Sequence, residues 1–459
     1  MQPNIILINC DDLGYGDLGC TGSQVHRTPA IDRIAAEGLR LTDFYVASPV
    51  CSPSRAALMT GSLPPRVGFG EFDGWSVLFP GIGLGLAAGE QTIATCLRDA
   101  GYATAMVGKW HCGDQPEFLP TRHGFDSYFG LPYSNDMGRQ RRSGDGAQDE
   151  ANLLPPLPLL ADEDVVEQQP LTERYTTECM RFLRSHRDGP FFLYLAHLHP
   201  HLPHITAERF SRSSRNGPYG AAVEYVEWST DVILRELDAL GIADDTVVVF
   251  TSDNGSRASG EGGSNDPLRG TKRTNWEGGV RVPCLIRWPG HVPAGTTSEA
   301  VVSAMDLLPT FAAIAGGRLE SDRVRDGHDV SGIWSDPDGV TTSPHAVLPY
   351  YFGNDLEAVR VGRWKLHVLR HEPADGGVEE LYDLKVDIGE TTDVAARHPA
   401  VVAELTEVVA DVRRRCGDAH TGEPGLDRRP VGTVPDPRPL TTYDPNHPYL
   451  VAMYDGPAG

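Results

Sequence analysis

The chain has 459 residues, 40% of them hydrophobic and 22% charged, enough for one large core with a smaller companion and unlike a disordered or fibrous protein. A formal net charge of −23 argues against nucleic acid or an anionic membrane surface as partner, since those interfaces need clustered Lys and Arg; an anionic substrate would need cations held in its own site. No window approaches roughly 18 uncharged apolar residues, and eight cysteines without regular spacing do not form a disulfide scaffold.

NIILINC (4–10) reads as a strand that starts almost at Met1, which leaves no room for a signal peptide. The expected compartment is therefore a reducing cytoplasm, or the periplasm or exterior if a leader was trimmed. Asp11 and Asp12 follow this strand. Thr28, Pro29 and the run IDRIAAEG predict a helix capped by Thr28 and stopped at Gly38. CSPSR (51–55) opens another helix with Pro53 in its first turn; alone, Cys51 also fits a small buried thiol, with Arg55 on the surface.

TIATCLRDAG predicts a helix and YATAMVGKW a strand, followed by His111. A helix over 171–186 precedes the strand FFLYLAHLH (191–199), and a long helix over 219–240 precedes TVVVFTSD (246–253). VPCLIRWPG (282–290) is a further strand. This alternation predicts an α/β fold, a large, mostly parallel sheet sandwiched by helices. From about residue 345 the pattern changes to antiparallel strands at 358–369 and 380–384 and a helix near 399–415. Two domains are expected, 1–340 and 341–459, with 417–459 an extended surface tail.

Open α/β sheets bind ligands where their parallel strands end. Asp11 and Asp12 end one strand; Asp253 and Asn254 end another. Either pair alone reads as a turn former or helix cap. Together they offer three carboxylates and an amide, the ligand set of a hard divalent cation, Ca2+ first and Mg2+ second. Lys109 and His111 follow a strand, and alternation would put them on one side of an extended segment. HLHPHLPH holds His197, His199, His201 and His204 at a density that suggests a soft-metal site, but no thiolate accompanies them.

The blocks CSPSRAALMTG (51–61), GYATAMVGKWHCG (101–113), LPYSNDMG (131–138), PHLP (200–203), FTSDNG (250–255), LRGTKRTNWEGGVRVP (268–283) and LYDLKVDIGE (381–390) occur in the order found in type I sulfatases. The chain resembles that family, and its N-terminal half resembles the arylsulfatase A branch. The resemblance implies an alkaline-phosphatase-like core and a smaller C-terminal antiparallel sheet domain. It also implies that Cys51 is oxidised to formylglycine by a maturation enzyme, which makes the formylglycine-generating enzyme an expected partner.

One hydroxyl of the hydrated aldehyde would attack sulfur and the other would later expel the bound sulfate. Asp11, Asp12, Asp253 and Asn254 match the metal ligands. Arg55 would support the nucleophile and the metal site, Lys109 would bind sulfate and nucleophile, and His111 would take a proton during elimination. His201 and Lys272 match the groups that face the leaving group and bind sulfate. Ser134 matches a sulfate contact, with a turn serine the open alternative.

The expected substrate is a sulfated small molecule or sulfated carbohydrate. Two other readings stay open, a phosphonate monoester or phosphodiester hydrolase on the same scaffold and a non-catalytic anion-binding relative. Cys112 departs from the aliphatic residue usual in its block. The Pro-, Asp- and Arg-rich segment between Ser134 and Tyr175 is the expected substrate-specific loop. Active protein should carry formylglycine at position 51, detectable by peptide mass spectrometry; full activity in protein whose residue 51 is entirely unmodified Cys would refute the mechanism.

Overall fold

The fold is seen in a computed structural model that describes residues 2–137, 170–258, 260–370 and 376–437. Among the described residues eight strands make the main sheet: β1 (Asn4–Asp11), β2 (Leu39–Leu41), β3 (Ala103–Gly108), β4 (Ser127–Phe129), β5 (Phe191–Pro200), β6 (Thr246–Ser252), β7 (Cys284–Arg287) and β8 (Thr296–Ser298). Their spatial order is β8-β2-β7-β6-β1-β5-β3-β4. The block from β6 to β4 is parallel throughout. β1, β5 and β6 are buried along their whole length, which is why they read as continuous apolar runs rather than alternating ones.

β7 runs antiparallel to both its neighbours, β6 and β2. Among the described residues between β6 and β7 the one helix is the short Glu277–Val280, too short to serve as a crossover that returns the chain in the parallel direction. Instead, this connection bends over the end of the sheet.

Helices α1 (Pro29–Ala36), α2 (Cys51–Thr60), α3 (Ile93–Asp99), α4 (Leu171–His186), α5 (Gly217–Leu240) and α6 (Leu307–Ala315) fall into two packed groups, α1 with α4 and α5, and α2 with α3 and α6. The sheet lies between helices, as the alternating pattern predicts. Thr92 caps α3 through a hydrogen bond from the Thr95 N–H. Thr28 stands at the N-cap position of α1 but does not cap it: its hydroxyl accepts from the Gly19 N–H and donates to Asp32. α1 ends at Ala36, short of the expected stop at Gly38.

The smaller sheet is antiparallel, with strands β9 (Leu348–Phe352), β10 (Asp355–Val361), β11 (Trp364–Arg370) and β12 (Gly376–Asp383) in sequential order. The run expected as one strand at 358–369 is two strands, turned at Gly362 with φ 55°. β9 went unread because its one proline, Pro349, and its three consecutive aromatic residues carry no alternation. Helix α7 (Pro399–Cys416) packs on this sheet, and their common core reaches Ala57 of α2, the helix that begins at Cys51. The tail is seen to residue 437; Gly432 and Thr433 pair with Gly85 and Leu84, and Arg429 holds Glu90 at 2.7 Å.

A buried ionic network joins the smaller sheet to the connection between β6 and β7. Lys365 on β11 lies 3.0 Å from Glu277 and 3.0 Å from Glu390, all three with fully buried side chains, and donates to the Asn275 carbonyl at 2.7 Å. Glu390 also accepts from the Glu277 N–H at 2.7 Å and meets His367 at 2.9 Å. Removing one partner of a buried ion pair strands the others without compensation, at a cost of roughly 3–5 kcal/mol. Lys365→Met should therefore destabilise the protein by about that amount in chemical denaturation, and a loss below about 1 kcal/mol, the size of an exposed pair, would contradict this account.

Candidate active site

Four parallel strands end at one place. β1 delivers Asp11, β3 leads into Lys109, β5 leads into His201, and β6 leads into Asp253 and Asn254. Gly108 permits the crossing at the end of β3: it has φ 110°, and a Cβ there would lie 1.9 Å from the Ala196 carbonyl oxygen of β5. Beyond it, Lys109 and His111 do not continue an extended strand, as alternation would require. His111 has φ 61°, and the segment is held by N–H donation from Trp110 to Leu131 and from His111 to Pro132. Asp12 is likewise left-handed, with φ 63°. Non-glycine residues in this region cost about 1–3 kcal/mol each and persist where the surroundings hold them.

Cys51 opens α2 and is buried, its Sγ 3.6 Å from Asp11 Oδ1 and 3.2 Å from Lys272 Nζ. Arg55, one turn on, is not at the surface: it is 1% exposed. Its Nε donates to Asp253 Oδ2 at 2.8 Å and its Nη1 to the Lys109 carbonyl at 2.8 Å. Lys109 Nζ donates to Asp11 Oδ2 at 2.6 Å. Lys272 Nζ reaches both oxygens of Asp12, at 2.7 and 2.9 Å. His201 Nε2 is 3.7 Å from Asp12 Oδ2, and Ser134 Oγ is 3.4 Å from His201 Nδ1.

Burial and charge oppose one another here. Burial pushes the Asp11 carboxyl up, but Lys109, His201, Arg55 and Lys272 outweigh it and hold Asp11 well below the usual carboxylate range. Asp253 is raised, by burial first and then by the Asp11 charge. Burial lifts the Cys51 thiol to about 12 despite Lys109 and Lys272, so the unmodified side chain is a protonated, poor nucleophile at neutral pH. His111 is pushed well below the usual imidazole range, by burial and then by Lys109.

The donor set suits a hard cation. Ligand atoms of Asp11, Asp12, Cys51 and His201 all lie within 4.8 Å of one another. Asp253 Oδ1 accepts from the Asp12 N–H at 3.3 Å, and Asn254 Nδ2 donates to Asp12 Oδ1 at 2.6 Å. Asn254 Oδ1 is buried with no hydrogen-bond partner, an orphaned carbonyl oxygen of the kind a metal ion would satisfy. Of the four histidines in HLHPHLPH, only His201 joins a convergent group of ligand atoms among the described residues. His199 bonds Thr172 at 3.1 Å, and burial holds His197 down to about 3. A soft-metal site is not assembled there.

Over these groups opens a cavity of about 420 Å³, lined by Cys51, His111, Ser134, His201 and Lys272 together with residues of two loops, 76–79 and 257–273. The expected substrate loop between Ser134 and Tyr175 lies largely outside the described residues. The segment 72–79 is a wall that motif reading overlooked, although its Asp73-Gly74 pair between aromatic residues is a hairpin signal. Among the described residues no helix is long and apolar enough to cross a membrane.

Residues 3–317 match the family model described as Sulfatase. The chain is 38% identical to human (Homo sapiens) arylsulfatase A over 450 residues, covering 88% of this chain and 87% of the relative. It is 40% identical to mouse (Mus musculus) N-acetylgalactosamine-6-sulfatase over 387 residues, covering 80% of this chain and 72% of that protein. The crystal structure of Ps i-CgsB in complex with k-i-k-neocarrahexaose superposes with a TM-score of 0.75 at 30% identity, covering 90% of this chain and 92% of that one. If Asn254 Oδ1 completes a metal site, Asn254→Ala should lower divalent-metal content and activity together; unchanged metal content by elemental analysis would remove Asn254 from the ligand set.

Proposed function

Because the chain belongs to the sulfatase family and is a sulfuric ester hydrolase of the formylglycine type, we propose that the residues converging on Cys51 are its catalytic set and that its substrates are sulfated carbohydrates. The observation that carries the assignment is the placement of Cys51 Sγ between Asp11 and Lys272 at the floor of the cavity. When present, the aldehyde hydrate at position 51 supplies one hydroxyl to attack sulfur and a second to release the covalent sulfate, and a divalent ion, here proposed as Ca2+, supplies positive charge to the sulfate oxygens.

The chain's own groups do the rest. Asp11, Asp12, Asp253 and Asn254 would hold the ion. Arg55 fixes Asp253 and the Lys109 carbonyl, and so positions two of the strand ends. Lys109 and Lys272 are kept cationic by the carboxylates they touch, Lys272 far above its usual range chiefly against burial and through Asp12. Both can neutralise a bound sulfate in a protein whose global charge repels it. Ser134, beside His201, is proposed as a further sulfate contact.

His111 has the form of a base. Its Nε2 lies 3.0 Å from the Leu78 carbonyl, an atom that can only accept, so Nε2 carries the proton and buried Nδ1 keeps its lone pair. Burial keeps the ring neutral, as proton removal from the second hydroxyl requires. His201 and Lys272 face the side from which an alcohol would leave.

The sugar assignment is supported by the polar lining of the cavity, which includes Ser76, Thr271, Arg257 and Glu261, and by the carbohydrate in the related Ps i-CgsB complex. All eight cysteines are free, consistent with the proposed reducing compartment. Residues 1–340 and 341–459 are proposed as the two domains. Turnover of a panel of sugar, aryl and alkyl sulfates tests the substrate class, and activity confined to aryl or steryl sulfates would overturn it.

Leaving-group dependence tests the roles. A sugar alcohol needs a general acid, worth about 10²–10⁴-fold, whereas nitrophenolate leaves unaided. His201→Ala and Lys272→Ala should slow sugar sulfates far more than nitrophenyl sulfate. His111→Ala should slow both to a similar limiting rate and accumulate sulfated enzyme, seen by mass spectrometry. Equal losses across the series for His201→Ala and Lys272→Ala would reduce these residues to sulfate binding.

A further inference from the structure

One wall of the cavity is carried by a hairpin arm with an aromatic residue at its turn. Phe72 and Trp75 exchange two backbone hydrogen bonds, at 2.8 and 2.9 Å, around Asp73 and Gly74. Both central residues have positive φ, 51° and 86°, the requirement of a tight two-residue hairpin turn. Phe72 is fully buried and packs edge-on against Phe69 with ring centroids 4.7 Å apart, which anchors the base. At the far end, buried Leu78 donates its N–H to Ser52 Oγ at 3.1 Å and its carbonyl lies 3.0 Å from His111. The arm is thus tied both to the helix of Cys51 and to His111, so its tip has a fixed position relative to the reacting centre.

Trp75 sits at that tip. It is 56% exposed, and it is the one exposed Phe, Tyr or Trp side chain among the described residues; the other exposed large apolar residues are Val and Leu scattered elsewhere. A single exposed apolar side chain means little by itself. Its setting is what is informative: the next residues, Ser76 and Val77, line the cavity, and its ring meets that of Phe79, also in the lining, with centroids 4.9 Å apart at 62°. Phe79 packs against the indole, most of which stays open to solvent beside these lining residues, although Trp75 itself does not line the cavity. Arg257 and Glu261, paired at 3.0 Å, contribute polar groups to the same cavity.

We infer that Trp75 forms a carbohydrate subsite at the mouth of the active site, stacking on the pyranose ring next to the sulfated unit. This rests on the sulfated-carbohydrate reading above. A pyranose has an apolar C–H face that packs on a flat aromatic surface and a rim of hydroxyls that hydrogen-bond charged side chains. Trp supplies that surface with little conformational entropy to lose, and the Arg257–Glu261 pair offers both donors and acceptors. A steroid would need extensive apolar cover, and most of the residues lining this cavity are polar or charged. The enzyme is therefore built for a sulfated unit within an oligosaccharide rather than for a free monosaccharide.

The test uses two probes on the mature enzyme: the best monosaccharide sulfate from the panel, and a tetrasaccharide carrying that same sulfated unit at its reactive end. The wild type should favour the tetrasaccharide in kcat/KM. Trp75→Ala should reduce that preference about tenfold, mainly through KM, and Trp75→Tyr should restore most of it. Because Trp75 is exposed, both variants should fold, which thermal unfolding checks. An unchanged ratio in Trp75→Ala, or a wild type indifferent to chain length, overturns the subsite while leaving the sugar-sulfatase reading intact. Failure of every sugar sulfate in the panel overturns the reading first and the subsite with it.

Discussion

Three carboxylates and three cations share the buried end of the main sheet: Asp11, Asp12 and Asp253 against Arg55, Lys109 and Lys272. None could be buried alone, because an isolated charge in a low-dielectric interior is too costly, so each must be placed before the others are stable there. Arg55 is the member that locks the arrangement. It is fixed by a carboxylate from β6 and a carbonyl beyond β3, and it hangs from the same helix as Cys51. Position 51 is thereby registered against two strand ends at once.

That balance also resolves a conflict in the protein's overall charge. A chain with a net charge of −23 repels anions at long range, yet its reaction requires one to be bound. Screening at physiological ionic strength confines the repulsion to about 8 Å, so what matters is the charge inside the cavity. There Lys272 lines the cavity and Lys109 lies beside it on Asp11, which puts positive charge where the proposed sulfate site would need it.

The loops that complete the site are held from outside the main sheet. The segment carrying Lys272 is clamped by Lys365 and Glu390 of the C-terminal part, with Arg269 donating to the Glu390 carbonyl at 2.7 Å. His111 is oriented by Leu78 of the hairpin arm. The smaller sheet is thus part of the support of the active site, which gives a physical reason for the ionic residues buried between the two parts.

Much of this was legible in the amino-acid sequence. Runs such as TVVVFTS and FFLYLAHLH are mostly apolar, a pattern that follows from burial on both faces of a parallel sheet, and Asp253 after the first of them, like Asp11 at the end of β1, marks the ligand-binding edge. The motif blocks singled out Cys51, Lys109, His111, His201 and Lys272 as candidates, with roles implied by the resemblance to type I sulfatases, and four of these five side chains line one cavity while Lys109 reaches Asp11 beside it. Local pattern could not supply the direction of β7, the division of 358–369 into two strands, or the failure of Thr28 to cap α1, since distant partners decide those. Nor could it show that His111 faces the site through a left-handed turn rather than strand alternation, or that Arg55 is buried. Sequence determined which groups were available and near which strand ends; only the tertiary structure decided which met, because burial, pairing and protonation depend on neighbours tens to hundreds of residues away.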